Sequence, residues 1–258
     1  LYFYRFRFNS NFGEKFIHKG AFGEGEIDKS TAPFQLTVFS EFKKTDRFLA
    51  DSFYQIFPDR FYQEGECDCT DKLQPYWVHQ NKSDMPVFRP NQWGEVLNND
   101  FYGGNFRGIA EKMEYIASLG VTILYLNPIS KSFSSHRYDT GDYKTPDPML
   151  GTEEDFRVLC QEAHKLGIRV VLDGVYSHTG SNSLYFDREG TFGGKGAYCS
   201  KESPYYSWYQ FYNFPNSYNS WWGFYTLPTV NKTDAAFRNF IIHSDDSDLV
   251  SFLHDDLD

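Results

Sequence analysis

The sequence predicts an α/β fold made of parallel βα units behind a short β-rich opening. Two observations carry this. From Phe53 onward, short apolar runs alternate with stretches whose apolar residues recur at helical spacing. Before that point the apolar residues instead recur at every second position, the period of a half-covered strand.

The opening element is the clearest case of period two. In the first eight residues Tyr2, Tyr4, Phe6 and Phe8 fall on one face of a strand. A second strand fits residues 34–39, after a turn region holding Gly20, Gly23 and Gly25. Two strands alone are marginal in water, so residues 1–45 read as the remnant of a larger β-sandwich, with the charged run 41–47 as a linker.

Residues 46–178 then supply three βα units. The first strand runs from Ser52 to Phe57. Phe106, Ile109, Met113, Ile116 and Ala117 share one helical face within residues 105–119, and Gly120 stops that helix before a second strand over 121–126. Thr152 and Asp155 have the spacing of a capping box, and Phe156, Leu159, Cys160 and Ala163 line the helix they start, which Gly167 ends. The third strand, residues 168–175, is apolar apart from Arg169, Asp173 and Gly174, and is expected to be buried on both faces. Residues 179–228 break the rhythm. They are rich in Tyr, Trp, Ser, Asn and Gly, and a loop of this length is functional or a small subdomain of its own. Residues 229–258 begin another unit, with helical patterns over 234–242 and 246–253.

Composition narrows the function. With 35 acidic against 25 basic residues the net charge is -10, a field that repels a nucleic-acid backbone or an anionic membrane. No apolar run approaches the roughly 18 residues of a membrane span. A chain of 258 residues can build a core without disulfides, so Cys67, Cys69, Cys160 and Cys199 imply no redox compartment; the Cys67-x-Cys69 pair is a weak metal signal beside the plainer reading of two loop thiols. Aromatic residues make up 19% of the chain, and Tyr and Trp in loops suit a ligand with apolar faces and hydroxyl edges, as sugars have.

Where parallel βα units close into a barrel, chemistry sits beyond the carboxyl ends of the strands. Asp173 and His178 lie at the end of the third strand, and Asp173 in an apolar run requires a partner above it. After the second strand comes a polar and aromatic loop containing His136, Tyr138 and Tyr143. Tyr138 offers a flat face and a hydroxyl for a pyranose ring, and the equal alternative is that Tyr138 and Tyr143 only pin the loop. Among Tyr205, Tyr206, Trp208, Tyr209, Trp221, Trp222 and Tyr225 some form a small core and others wall a groove; the residues alone do not separate them.

These segments resemble the alpha-amylase superfamily, glycoside hydrolase family thirteen, and within it the neopullulanase, cyclomaltodextrinase and maltogenic amylase branch. The resemblance rests on Phe53 through Phe61 as the first-strand motif, Gly120 through Pro128 as the second, Asp173 through His178 as the third, and Leu227-Pro-Thr-Val-Asn231 as the motif closing the inserted subdomain. It implies a (β/α)₈ barrel with a subdomain inserted after the third strand. It also implies a retaining mechanism on α-1,4, and in some members α-1,6, glucosidic bonds of starch-derived oligosaccharides, cyclomaltodextrins or pullulan. The family's nucleophile and acid/base follow the fourth and fifth strands, so the resemblance places them after Asp258 and this stretch alone is expected to be inactive. Carried over residue by residue, Tyr138 matches a ring-stacking tyrosine, His178 a histidine that binds a sugar hydroxyl, and Asp173 an aspartate that holds an arginine of the next motif; His136 lies in the same substrate-binding loop.

The resemblance requires no cofactor. Many relatives hold calcium, but two departures weigh against it: Ser177 stands where the third-strand motif has asparagine, and Gly103-Gly104-Asn105 stands where the branch has Gly-Gly-Asp, leaving Gly103 and Asn105 as weak candidates. The N-terminal domain of the branch contributes to dimerisation, which implies a homodimer for the parent protein, and the branch points to the cytoplasm without excluding export. Two other readings stay open: an α-glucan-binding protein without catalysis, and a related transglycosylase.

Overall fold

In the computed structural model, residues 1–27, 32–38 and 51–243 are described. The chain divides into two compact units, residues 1–49 and 50–258. The expected linker 41–47 and the helical pattern 246–253 lie outside the described residues.

The described part of the first unit holds five short strands rather than two. Phe6–Ser10, Gly13–Lys19 and Gly25–Ile27 form an antiparallel sheet, while Tyr2–Tyr4 pairs with Phe34–Leu36. The single run expected over the first eight residues therefore breaks at Arg5. Tyr4 and Phe6 nevertheless both pack on Phe34, with ring centroids 5.5 and 5.8 Å away.

The second unit is built on a three-stranded parallel sheet. Ile123–Leu126 lies in the middle, flanked by Phe53–Ile56 and Arg169–Leu172. Ile56, Leu126 and Leu172 stand side by side in register, so all three strands end at one level. One face of the sheet presents Ile56, Leu124, Leu126 and Val170 to a core completed by Phe106, Ile109, Met113, Ile116, Phe156, Leu159, Cys160 and Ala163. The expected helix over 105–119 is interrupted at Lys112 into Phe106–Glu111 and Met113–Ser118. The later helix, Glu153–Lys165, has the expected capping box: Thr152 Oγ1 accepts from Asp155 N at 3.2 Å, and Asp155 Oδ2 accepts from Thr152 N at 2.8 Å. Gly120 and Gly167 end these helical stretches at φ +75° and +73°, a conformation side chains disfavour.

The third strand departs from expectation. It is only four residues long, and of these Val170 alone is fully buried. Leu172 is half-buried against the same helical core as Val170, while Arg169 and Val171 belong to a sheet face that no helix of the described core covers, so apolar composition did not translate into burial on both sides.

Residues 179–228 form an aromatic cluster. Tyr185, Phe186, Trp208, Tyr209 and Tyr218 are buried with Val230 and Phe237, and Phe186 touches Tyr209 and Tyr218 edge to face, each at 4.8 Å. The excursion returns to the third strand's exit. Thr179 N donates to Pro228 O at 3.1 Å, His178 bridges Thr229, and Val230 N donates to Ser177 O at 3.0 Å. Asp234 caps the helix Ala235–Arg238, which passes into a π-helical turn over Asn239–His243.

Candidate active site

Side chains alternate across a strand, so residues 55, 125, 127, 171 and 173 all project from the sheet face opposite the helical core. Here a linked polar set crosses the strand ends. Gln55 Nε2 donates to Asn127 Oδ1 at 2.8 Å, Asn127 Nδ2 donates to the Tyr138 hydroxyl at 3.2 Å, and Tyr138 donates onward to Asp173 Oδ2 at 2.7 Å. Tyr125, in the central strand, also faces Asp173: burial, followed by the charge of Asp173, raises its hydroxyl above the usual phenol range. Burial, followed by the bond to Asp173, raises the Tyr138 hydroxyl well above the usual phenol range, so it stays protonated and remains a donor.

The loop that carries Tyr138 is fastened from beneath. Arg137 sits at φ +62° with its side chain buried, its Nε 3.0 Å from Asp147 Oδ2 and its Nη1 donating to Ser135 O at 2.9 Å. Lys72 Nζ donates to the same Asp147 oxygen at 2.6 Å and to Ser132 O at 2.6 Å. Burial opposes ionisation of Asp147 most strongly, yet the two cations together hold its carboxyl below the ordinary range. Tyr143 is a pin, buried, donating to Val175 O at 2.8 Å. The two tyrosines of this loop thus separate in role: Tyr143 anchors, and Tyr138 reaches the polar set.

Tyr138, Asp173 and His178 are brought together, but His178 differs in posture from the expected open ligand. It is 5% exposed, and its Nε2 lies 3.1 Å from Tyr138 O, which can only accept, so Nε2 carries the proton. Nδ1 then accepts from Ser177 Oγ at 2.9 Å. Both ring nitrogens are engaged within the chain, and the ring steadies the Tyr138 backbone. His136 does the same from the other side: Nδ1 accepts from Tyr138 N at 3.0 Å, which places its proton on Nε2. Burial lowers the pKa of both histidines.

The residues proposed for calcium do not fit a cation. Asn105 Oδ1 accepts from Gly108 N at 2.8 Å and Glu64 N at 3.2 Å, making it a helix N-cap rather than a free oxygen. Asn105 Nδ2 donates to Glu64 O at 2.8 Å. The neighbouring oxygens Gln63 Oε1 and Tyr102 O face the chain's own ammonium, Lys82 Nζ, the first at 2.8 Å. Ser177 is occupied by His178. Steric demand explains the Gly-Gly pair instead: Gly103 has φ +73°, and a β-carbon on Gly104 would come within 2.1 Å of Pro58 O. Cys67 and Cys69 have sulfurs 3.6 Å apart, and burial pushes the Cys69 thiol up to about 12. Among the described residues no group of three or more His, Cys, Asp or Glu side chains is placed to hold a metal. Likewise, no helix is long and apolar enough to cross a membrane.

Gln55, Asn127 and Tyr125 were not singled out from sequence. The rule that polar groups at strand ends matter would have found Asn127, the last residue before Pro128.

A parallel sheet with helices on one face and a linked polar cluster across its strand ends on the other matches part of a βα-barrel enzyme; the described residues supply three such strands and no closed barrel. The chain belongs to the alpha-amylase family: residues 55–249 match the description "Alpha amylase, catalytic domain". It is 35% identical over 257 residues to the amylopullulanase of Thermoanaerobacterium saccharolyticum, covering 90% of this chain and 20% of that protein. To the intracellular maltogenic amylase of Bacillus subtilis it is 37% identical over 164 residues, 63% of this chain and 24% of that one. Among solved structures, the type III pullulan hydrolase of Thermococcus kodakarensis superposes with a TM-score of 0.66 at 30% identity, over 95% of this chain and 43% of that chain. The chain thus spans between a fifth and under half of the length of these three proteins.

Proposed function

We propose that this chain forms the front of an α-glucan hydrolase catalytic domain and supplies the floor of the subsite for the sugar whose bond is cut. The observation that carries this is the hydrogen-bonded line Gln55–Asn127–Tyr138–Asp173 across the ends of three parallel strands. Tyr138 presents its ring to a pyranose face, and Asp173 keeps one oxygen for a further donor. His178 holds Tyr138 in place and reaches a sugar hydroxyl by releasing Ser177. Family membership supports α-1,4 linkages of starch-derived oligosaccharides, with α-1,6 bonds as a second target, and supports reading residues 1–45 as the remnant of a β-sandwich and 179–228 as an inserted subdomain. Calcium is not part of the proposed site.

A retaining reaction uses two carboxyl groups about 5–5.5 Å apart. The cluster supplies one carboxyl, Asp173, already bonded to Tyr138. The 258-residue chain is therefore expected to bind maltooligosaccharides without turning them over. Calorimetric titration with maltoheptaose, beside a reducing-sugar assay on maltotriose and pullulan, tests both halves. Sustained hydrolysis refutes the assignment of Asp173 to support, and absence of binding refutes the subsite. A protein that binds α-glucan in its complete form but never hydrolyses it remains the second reading.

A further inference from the structure

We propose that Trp222 is a sugar-stacking platform, a remote subsite for a glucosyl ring of the same α-glucan chain; this rests on the reading of the site given above. The inserted segment has many aromatic residues, and packing sorts them. Trp208 and Tyr209 are buried in its core, whereas Trp222 is 84% exposed. Trp222 packs one ring face on Trp221 and leaves the rest of the indole in solvent.

Two independent observations point to a ligand. First, Trp222 is held in a left-handed backbone conformation, φ 52° and ψ 25°, within the short turn Trp221–Gly223. A bulky residue pays about 1–2 kcal/mol for this conformation, of which stacking on Trp221 offsets about 0.5–1.5 kcal/mol while most of the indole stays in solvent. Second, the platform is continuous with the candidate site. The Trp221 ring lies 5.2 Å from His178, and Trp222 stacks on Trp221 at 4.8 Å with planes 5° apart. Trp221 fills the gap and carries the second indole outward, so Trp222 is one ring removed from the Tyr138 cluster. Its position suits a sugar farther along the chain, not the one being cut.

The occupant is set by this placement. An uncharged ring with an apolar face and hydroxyl edges stacks on an indole, and a chain threading away from His178 passes the edge of Trp221 and then reaches Trp222. A short oligosaccharide ends before it gets there.

The test uses the 258-residue chain and Trp222→Asn, chosen because Asn tolerates the left-handed conformation. Expected are weaker maltoheptaose binding by roughly tenfold, the effect of losing one buried indole face, unchanged maltotriose binding, and a melting temperature no lower than that of the unsubstituted chain. Trp222→Tyr keeps an aromatic face and is expected to retain most of the affinity. Three outcomes overturn the platform: equal maltoheptaose affinity in Trp222→Asn, a clear drop in its melting temperature, which makes the indole structural, or conversion of a dimer to a monomer on sedimentation, which makes it a contact between copies. Failure of the unsubstituted chain to bind maltoheptaose at all sinks instead the reading of the Tyr138 cluster, and the platform with it.

Discussion

Asp147→Asn is the most demanding perturbation of the loop that carries Tyr138. The Asp147 side chain is wholly buried, with Lys72 Nζ at 2.6 Å and Arg137 Nε at 3.0 Å, and both cationic side chains are at most 1% exposed. An amide keeps the shape and removes the charge, leaving Arg137 without its ion-pair partner and Lys72 with only the longer contact to Asp71 Oδ1 at 3.6 Å. Breaking a buried pair by deleting one partner destabilises by about 3–5 kcal/mol. In a chain of this size each kcal/mol moves the melting temperature by roughly 2–4 °C, so a fall of about 6–20 °C is expected by circular dichroism. Urea unfolding gives the free energy directly. Lys165→Ala is the control: its pair with Glu162 is solvent-exposed, and its loss is expected to change stability by less than about 1 kcal/mol. Because Arg137 lies between His136 and Tyr138, Asp147→Asn is also expected to weaken maltoheptaose binding. A loss of stability below about 1 kcal/mol would refute the claim that this triad fastens the loop.

Tyr138→Phe removes the donor to Asp173 and the acceptor of Asn127; a loss of about 1–2 kcal/mol in stability is expected, together with weaker glucan binding, and unchanged binding would remove Tyr138 from the site. His136 and His178 have lowered pKa values when folded, so as pH falls below about 6.5 the unfolded chain takes up protons that the folded one refuses. Stability is then full above that pH and declines below it, by at most about 1.4 kcal/mol per pH unit for each histidine; urea midpoints that do not move between neutral and mildly acidic buffer would contradict the burial of both rings. Gly104→Ala drives a methyl into Pro58 O and is expected to cost on the order of 1–3 kcal/mol or more, read by urea unfolding; a neutral effect would show that the turn has room. Millimolar calcium and a calcium chelator are expected to give the same melting temperature, and a rise with calcium would mean that Asn105 releases its two N–H partners to the metal.

What the sequence disclosed, and what it hid, divides by the range of the interactions. The capping box at Thr152, the helix stops at Gly120 and Gly167 and the apolar face from Phe156 to Ala163 are local patterns, and each is found where period and capping predict. The break at Lys112 has no proline or glycine to announce it. The Lys72–Asp147–Arg137 set joins Lys72 to an aspartate 75 residues later and Arg137 to the same aspartate ten residues on, and no period or cap in the sequence marks either pairing as buried. Tyr138, Asp173 and His178 stand out in the sequence because they lie in a polar loop after the second strand and in the motif Asp173–His178 at the end of the third; Gln55 and Tyr125 do not, since a polar residue within a strand gives no sign of which sheet face it takes until the strands are in register. The engagement of both His178 nitrogens belongs to the same class of fact, set by a carbonyl forty residues earlier.

The excursion over residues 179–228 leaves and rejoins the fold at nearly one point, through the contacts of His178, Thr179 and Ser177 with Pro228, Thr229 and Val230. A loop whose ends are already clasped can grow or shrink at small entropic expense, since closure entropy rises only with the logarithm of length. The excursion is thus free to change in size at little cost to the fold, while His178 at its root keeps its position.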